Sequence, residues 1–415
     1  MLSDLISELE AYKSIAIFGY GVEGQSFERF AKKYLPDVTR IIVDKNHSKD
    51  ANYLQGLNDA ELIIKSPGIS LHNLGIAYDA YNFTSITELF LRHFGAQTIG
   101  VTGTKGKSTL VTLIEAMLKN ADKKAILCGN IGISPLDAIE EITKDTTVVM
   151  ELSSHQLHHI TSSPHIAILT NLFEEHLDYY EDLADYYAAK FNIFAHQKSE
   201  DIFIYNLKNP DAFFDTNAVA AKAYNVATKQ LKYKHSFDMK RGFIHHATLQ
   251  ILEQLAELLA IDDKSYAKTL KEFKTLPHRL EFVQESDGVS FINDSISTIP
   301  EATMEAVKIL KNVDTLILGG NDRGVNYEAL VAFLRESDVA NIICFSDTGK
   351  QIYEKMEQDK RGKNLFYMPN LRESVEKARS VAKKIVLFSP AASSFNEYKN
   401  FVERGDAFKK HLKGA

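Results

Sequence analysis

Gly103-Thr-Lys-Gly106-Lys107-Ser108-Thr109 follows the apolar run Thr98-Ile-Gly-Val101 and opens a helical pattern. Glycines between a strand and a helix let backbone N–H groups close around an anion, and the positive end of the helix dipole adds to the attraction. Lys107 would neutralise phosphate charge and the Ser108 hydroxyl would ligate magnesium. Gly103, Thr104, Lys105, Gly106, Lys107, Ser108 and Thr109 are therefore the candidate phosphate-binding residues for a bound nucleotide. The spacing departs from a strict Walker A loop, because Val101 stands where that pattern has its first glycine.

Two polar segments accompany this loop. The apolar run Thr147–Met150 leads into Glu151, with Ser153 and Gln156 close behind. An acid at the C-terminal end of a parallel strand, beside a phosphate loop, is where a magnesium ligand is wanted. A solvent-facing glutamate would fit the same position. In Thr170-Asn-Leu-Phe-Glu-Glu-His176-Leu-Asp178, a lone loop histidine is more often structural, but His176 is flanked by Glu175 and Asp178. Lys190 sits in the mostly apolar helical segment Tyr187–Phe194, where a lysine usually snorkels its ammonium to the surface.

A second glycine pattern, Gly19-Tyr20-Gly21-Val22-Glu-Gly24, follows the run Ile15–Phe18, and Asp44 ends the next apolar run. In a dinucleotide fold such glycines admit a pyrophosphate and the acid binds a ribose hydroxyl. A tight strand-to-helix turn would use the same residues. The unit stops after about 90 residues, short of a two-halved dinucleotide domain. It reads instead as a holder for a nucleotide diphosphate that is not itself the reactant.

The elements that must position these groups are short apolar runs alternating with helical patterns, the mark of α/β units with parallel sheets. Three series are visible: residues 1–91, 92–275 and 276–415. The fold class is thus three consecutive α/β domains. Residues 207–247 carry no clear period, and a helix is expected from about Thr248 to Ala260. A length of 415 residues agrees with two or three domains, since it exceeds what one core serves. The net charge of −7 argues against a nucleic-acid binder. Neither Cys128 nor Cys344 fits a metal or disulfide spacing, which favours a reducing compartment. No signal peptide and no apolar run near membrane-spanning length is present, so a cytoplasmic protein without membrane insertion is expected.

Gly100-Val-Thr-Gly-Thr-Lys-Gly-Lys-Ser-Thr109 resembles the ATP loop of the Mur ligase family, with Lys105 where that family commonly has Asn. The resemblance extends over nearly the whole chain, through Gly129-Asn130-Ile-Gly132, Pro277-His278-Arg279-Leu-Glu281, Asn293-Asp294-Ser295 and Gly319-Gly-Asn-Asp-Arg323. The closing run, Ser389-Pro-Ala-Ala-Ser-Ser394-Phe395 through Phe401-Val-Glu-Arg-Gly405, is similar to the D-glutamate-adding branch. It implies a small Rossmann-like domain, a central P-loop ATPase-like domain and a Rossmann-like C-terminal domain.

The implied reaction joins D-glutamate to UDP-N-acetylmuramoyl-L-alanine through an acyl phosphate, for peptidoglycan precursors. ATP and two magnesium ions are expected, in a monomer. The resemblance implies Lys107, Glu151, His176 and Lys190 as catalytic, with Ser108, Glu151, His176 and a carbamylated Lys190 around the metal. His278, Arg279 and Asp294 would approach ATP. The UDP-substrate would be held by Gly19, Tyr20, Gly21, Val22, Asp44, Ser66, Pro67, Gly68, Asn130, Ser153 and Gln156, and D-glutamate by Thr298, Arg323, Ser394, Phe395 and Phe401. Packing roles for the two phenylalanines, and a simple turn at Asn130, stay open.

Two segments depart from the family pattern. Ile296 replaces a lysine expected to meet a substrate carboxylate, a load that Arg323 is expected to take over. His245 and Thr248 replace asparagines expected near adenine. The competing readings are a sibling ligase such as a folylpolyglutamate synthetase, a nicotinamide dehydrogenase, and a non-catalytic nucleotide-binding module. The dehydrogenase leaves the phosphate loop unexplained. The module would not need Glu151, His176, Arg279 and Asp294 together.

Overall fold

The structure, a computed structural model, describes residues 1–48, 52–173, 179–233, 244–395 and 397–413. Among them are three sheets, with all pairings parallel but one. The first contains β1 (Ser14–Phe18), β2 (Thr39–Val43), β3 (Leu62–Lys65) and β4 (Phe83–Thr84), in the order β2-β1-β3-β4. The second contains β5 (Thr98–Thr102), β6 (Ala125–Gly129), β7 (Thr147–Glu151), β8 (Ile166–Leu169), β9 (Ile202–Tyr205) and β10 (Lys222–Asn225), in the order β10-β9-β8-β5-β7-β6. The third contains β11 (Glu281–Ser286), β12 (Val289–Asn293), β13 (Val313–Gly319), β14 (Asn341–Phe345), β15 (Asn364–Met368) and β16 (Ile385–Phe388). Its order is β11-β12-β16-β13-β14-β15, and the β11–β12 pair is antiparallel.

The chain forms two compact units, one built on Met1–Lys234 and His245–Lys271, the other on Glu272–Ala415. The first two sheets share the first unit. An apolar cluster joins Phe27, Phe30 and Leu35 of the first sheet's layer to Leu136 and Ile139 of the second. Polar ties reinforce it: Arg29 donates to both carboxylate oxygens of Asp137, and Glu88 accepts from the backbone N–H groups of Thr161 and Ser162 at 2.8 and 3.1 Å.

Central strands are covered on both faces, so their sequences are continuously apolar rather than alternating. In the second unit this is explicit. Ile292, Leu316, Leu318, Ile342 and Leu387 pack on one face of the third sheet, and Phe291, Ile317, Ile343, Val386 and Phe388 on the other. The two-residue period of a strand sends neighbours to opposite cores. β10 escaped the sequence reading for the opposite reason. As an edge strand it is mostly exposed and carries no apolar pattern. The helix expected from about Thr248 runs His246–Leu258.

Cys128 and Cys344 are free and fully buried. Burial pushes the Cys128 thiol up to about 12 and raises Cys344 as well. Among the described residues no helix is long and apolar enough to cross a membrane.

Candidate active site

β5 delivers the phosphate loop to the C-terminal end of the second sheet, between β8 and β7. Gly103 at φ +137° and Gly106 at φ +83° make the turns, and a Cβ on Gly103 would lie 2.0 Å from Thr170 Oγ1. Gly106 is the N-cap of the helix Lys107–Asn120, where no side chain caps the first turn. The loop is held from β8. Thr104 N donates to Asn171 O at 3.0 Å, Lys105 N to Asn171 Oδ1 at 2.8 Å, and Thr170 Oγ1 to Lys105 O at 2.8 Å. Phe173 N donates to Thr104 Oγ1 at 2.9 Å. Lys107 Nζ folds back to Gly103 O at 2.8 Å and Thr104 O at 3.0 Å. Ser108 is buried in the first turn, Thr109 half-buried behind it. Thr248, one of the two departures noted above, faces Gly106, its Oγ1 3.9 Å from where a Cβ would stand.

Glu151 ends β7 in register with Val101 of β5. It is buried. Oε1 accepts from Asn130 Nδ2 at 2.8 Å, while Oε2 is sealed from solvent with no hydrogen-bond partner among the described residues. A buried carboxylate oxygen left in this way costs about 1–3 kcal/mol or more. Beside a phosphate loop and the Ser108 hydroxyl, it suits a hard divalent cation, which takes oxygen ligands. His176, with Glu175 and Asp178, lies outside the described residues. Among the described ones no group of three or more His, Cys, Asp or Glu side chains could hold a metal. The fit to magnesium therefore rests on Glu151 and Ser108.

Lys190 does not snorkel. Tyr186, Ala189, Lys190 and Ile193 form the buried stripe of the helix Leu183–Ala195, at the spacing of one helical face. Lys190 Nζ donates to Gly103 O at 3.2 Å and lies 4.7 Å from the centre of the Tyr186 ring. The helix is apolar on nearly all sides, so the pattern around the lysine did not reveal which face turned inward.

The first glycine loop is gripped from several directions. Gly19 adopts φ +92°, and a Cβ on Gly24 would lie 2.2 Å from Gly19 O, so the helix Val22–Tyr34 packs directly on the turn. Asp44 Oδ2 accepts from Tyr20 N and Oδ1 from Asn46 N, both at 2.8 Å. The Tyr20 bond holds this carboxyl below its usual range. Ser66 Oγ donates to Gly19 O at 2.6 Å, and Pro67 O accepts from Tyr179 OH at 2.8 Å. Gly21, Val22 and Gly68 are exposed at this end of β1.

Ser153 and Gln156 form a capping box on a short helix, and Gln156 Nε2 reaches Glu23 Oε1 at 2.8 Å. Glu23 and Lys65 are additions that the sequence reading passed over. Lys65 is buried and Glu23 half-buried with its Oε2 sealed from solvent, and desolvation raises the glutamate and pushes Lys65 down to about 8 against the pull of Glu23. Lys65 donates to Ser66 O and Ile69 O at 3.3 and 3.0 Å, supporting the Ser66-Pro67-Gly68 turn from beneath. A lysine ending an apolar strand was the available signal.

In the second unit β16 returns between β12 and β13, which makes their C-terminal ends a topological switch point, where open α/β sheets form crevices. His278, at φ +65°, is buried with Nδ1 3.0 Å from Asn293 Nδ2. Asp294 faces inward: Oδ1 accepts from Leu280 N at 3.1 Å, and Oδ2 from Ser297 Oγ at 2.5 Å and Ser389 Oγ at 2.9 Å. Burial pushes its pKa up to about 6. Arg279, Thr298 and Phe401 are half-buried, and Ser394 is buried. Arg323 and Phe395 are exposed. Ile296 is half-buried, its N–H donating to His278 O at 3.1 Å.

Comparison with known proteins supplies the family. The profile of the Mur ligase middle domain matches residues 101–276, and that of the Mur ligase, glutamate ligase domain, matches 278–392. A protein of Acetivibrio thermocellus named UDP-N-acetylmuramoylalanine–D-glutamate ligase is 31% identical, covering 96% of this chain and 95% of its own. A namesake from Clostridium kluyveri is 31% identical over 94% and 91%. Among solved structures, the MurF ligase of Thermotoga maritima in complex with ADP shares the fold. Its TM-score is 0.60 at 17% identity, covering 96% of this chain and 95% of that one. The chain belongs to the Mur ligase family.

Proposed function

We propose that this protein joins D-glutamate to UDP-N-acetylmuramoyl-L-alanine at the expense of ATP, as a monomer in the cytoplasm, in peptidoglycan precursor synthesis. The observation that carries the reading is the likeness, over nearly the whole chain, to relatives bearing that name. The phosphate loop with Glu151 at its side suits it chemically. A carboxylate resists attack by an amine until one of its oxygens becomes a leaving group. Its oxygen attacks the γ-phosphorus of ATP and ADP departs. The D-glutamate amine then attacks the acyl carbon, phosphate leaves, and the nitrogen loses a proton.

The first step brings an anion against a polyanion. At about 4 Å and an effective dielectric of about 20, each like-charge pair costs roughly 4 kcal/mol. Lys107 and the loop N–H groups offset this by neutralisation and positioning. Magnesium would add to that neutralisation, with Ser108 and Glu151 to hold it and His176 and a carbamylated Lys190 completing the set for two ions. Gly103–Thr109 would bind ATP. Gly19–Val22, Asp44, Ser66–Gly68, Asn130, Ser153 and Gln156 would bind the UDP-substrate. Thr298, Arg323, Ser394, Phe395 and Phe401 would receive D-glutamate. We assign three domains, 1–91, 92–275 and 276–415, to these parts.

The test is phosphate release from ATP with magnesium and UDP-N-acetylmuramoyl-L-alanine, with D-glutamate, L-glutamate or no amino acid. Release that requires D-glutamate is expected. Release that ignores it, or that prefers another amine, would overturn the reading in favour of a sibling activity.

A further inference from the structure

Arg404, in the first turn of the helix Phe401–Lys413, is the largest fully buried side chain among the described residues. Its guanidinium ties together the ends of two strands. Nε donates to Ser295 Oγ at 3.1 Å and Nη2 to Ser295 O at 2.9 Å, just beyond β12. Nη1 donates to Ala392 O at 2.8 Å and Ser393 O at 3.0 Å, beyond β16. A third strand end joins through Ser393 O, which also accepts from Asn321 N at 2.8 Å, beyond β13. There the backbone passes so closely that a Cβ on Gly320 would lie 2.9 Å from Nη1. These four acceptors are carbonyls and a hydroxyl, none of them anionic. Burying a cation with only neutral partners is costly, and the planar fork is the one side-chain geometry that reaches all four.

The three strand ends are those that carry Thr298, Arg323, Ser394 and Phe395. We propose that Arg404 is the positioning and specificity residue of the amino-acid pocket. Its fork fixes the walls around Ser394 and Thr298, and its buried charge, hydrogen-bonded to neutral acceptors and offset only through space by Glu397, favours an amino acid with an additional carboxylate over a neutral one. The inference rests on the proposed D-glutamate reaction and deepens it. Burial lowers the guanidinium pKa to about 10, which leaves it charged at neutral pH.

The test is steady-state kinetics of the full-length wild type, Arg404→Lys, Arg404→Gln and Ser295→Ala, with D-glutamate and D-glutamine as alternative acceptors and thermal midpoints in parallel. Loss of a charge-assisted bond predicts a KM for D-glutamate raised about tenfold or more in Arg404→Lys, with the KM for ATP unchanged. That variant should keep the preference for D-glutamate over D-glutamine, whereas Arg404→Gln should lose about tenfold or more of it. Ser295→Ala, which keeps the arginine and removes one acceptor, should raise the same KM by about threefold to tenfold, so the inference stays testable if the arginine variants fail to fold. Wild-type KM values, or an equal decline for all three substrates, would overturn the inference alone. A wild type indifferent to D-glutamate would overturn the proposed function and this inference with it.

Discussion

Replacing Glu151 by Gln should make the protein more stable and far less active. The carboxylate is buried, with Oε1 satisfied by Asn130 and Oε2 by no described group. Glutamine keeps the acceptor for Asn130 and exchanges a sealed, unpartnered charge for a neutral amide. Of the 1–3 kcal/mol that such an orphan costs, about 1 kcal/mol should return, because the amide nitrogen inherits the unsatisfied position. For a unit of this size that corresponds to a rise of about 2 °C in the midpoint without nucleotide.

Catalysis moves the other way. Removing one charge that faces another at about 4 Å, with an effective dielectric of about 20, forfeits roughly 4 kcal/mol, or about a thousandfold in rate. Phosphate release gives the rate, and scanning calorimetry with and without ATP and magnesium gives the midpoints. Wild type should gain stability from ATP and magnesium together and the variant should gain little. A Glu151→Gln enzyme within tenfold of wild-type turnover, or one that melts below wild type without nucleotide, would refute the assignment of this oxygen to cation binding.

Asp294 provides a pH signature. Its folded pKa of about 6 lies above the usual carboxylate value near 3.9, so the folded state favours the protonated form. The associated stability is complete below about pH 4 and is lost as pH rises through about 6, a change of about 3 kcal/mol. Asp294→Asn should flatten this decline in the second unit, and parallel pH–midpoint curves for variant and wild type would count against it. Lys190→Ala should lose activity that small carboxylic acids restore, and full activity in the variant without such rescue would dismiss the carbamate. Arg323→Ala should raise the KM for D-glutamate by about tenfold or more, as expected when a charged hydrogen bond is lost, and an unchanged KM would show that Arg323 does not compensate for Ile296.

The phosphate loop was legible because its residues are dictated locally. Positive φ needs Gly103 and Gly106, and the helix that follows needs Lys107 and Ser108 at its start. Strand ends such as Glu151 were legible from the change of an apolar run to an acid. What stayed hidden depended on partners far along the chain. Asp44 was visible as a polar end to β2, and its turn bond from Asn46 is local, yet its other oxygen serves Tyr20, which only the fold brings to it. Arg404 stood in the closing signature without a role, and nothing local in Phe401-Val-Glu-Arg-Gly405 marks it as buried. Lys65 and Glu23 were obscured in the same way, since each burial is created by the packing of the first sheet against the second.

The two sealed thiols have a practical consequence. Cys128 and Cys344 lie in strand interiors with their ionisation suppressed, and it is the exposed thiolate that reacts with alkylating agents and oxidants. The folded protein should therefore present a chemically silent background to maleimides, nitroxides and fluorophores. Cysteines introduced at exposed positions, one in each unit, could be labelled in the otherwise native chain, and the distance between the labels followed as each substrate is added.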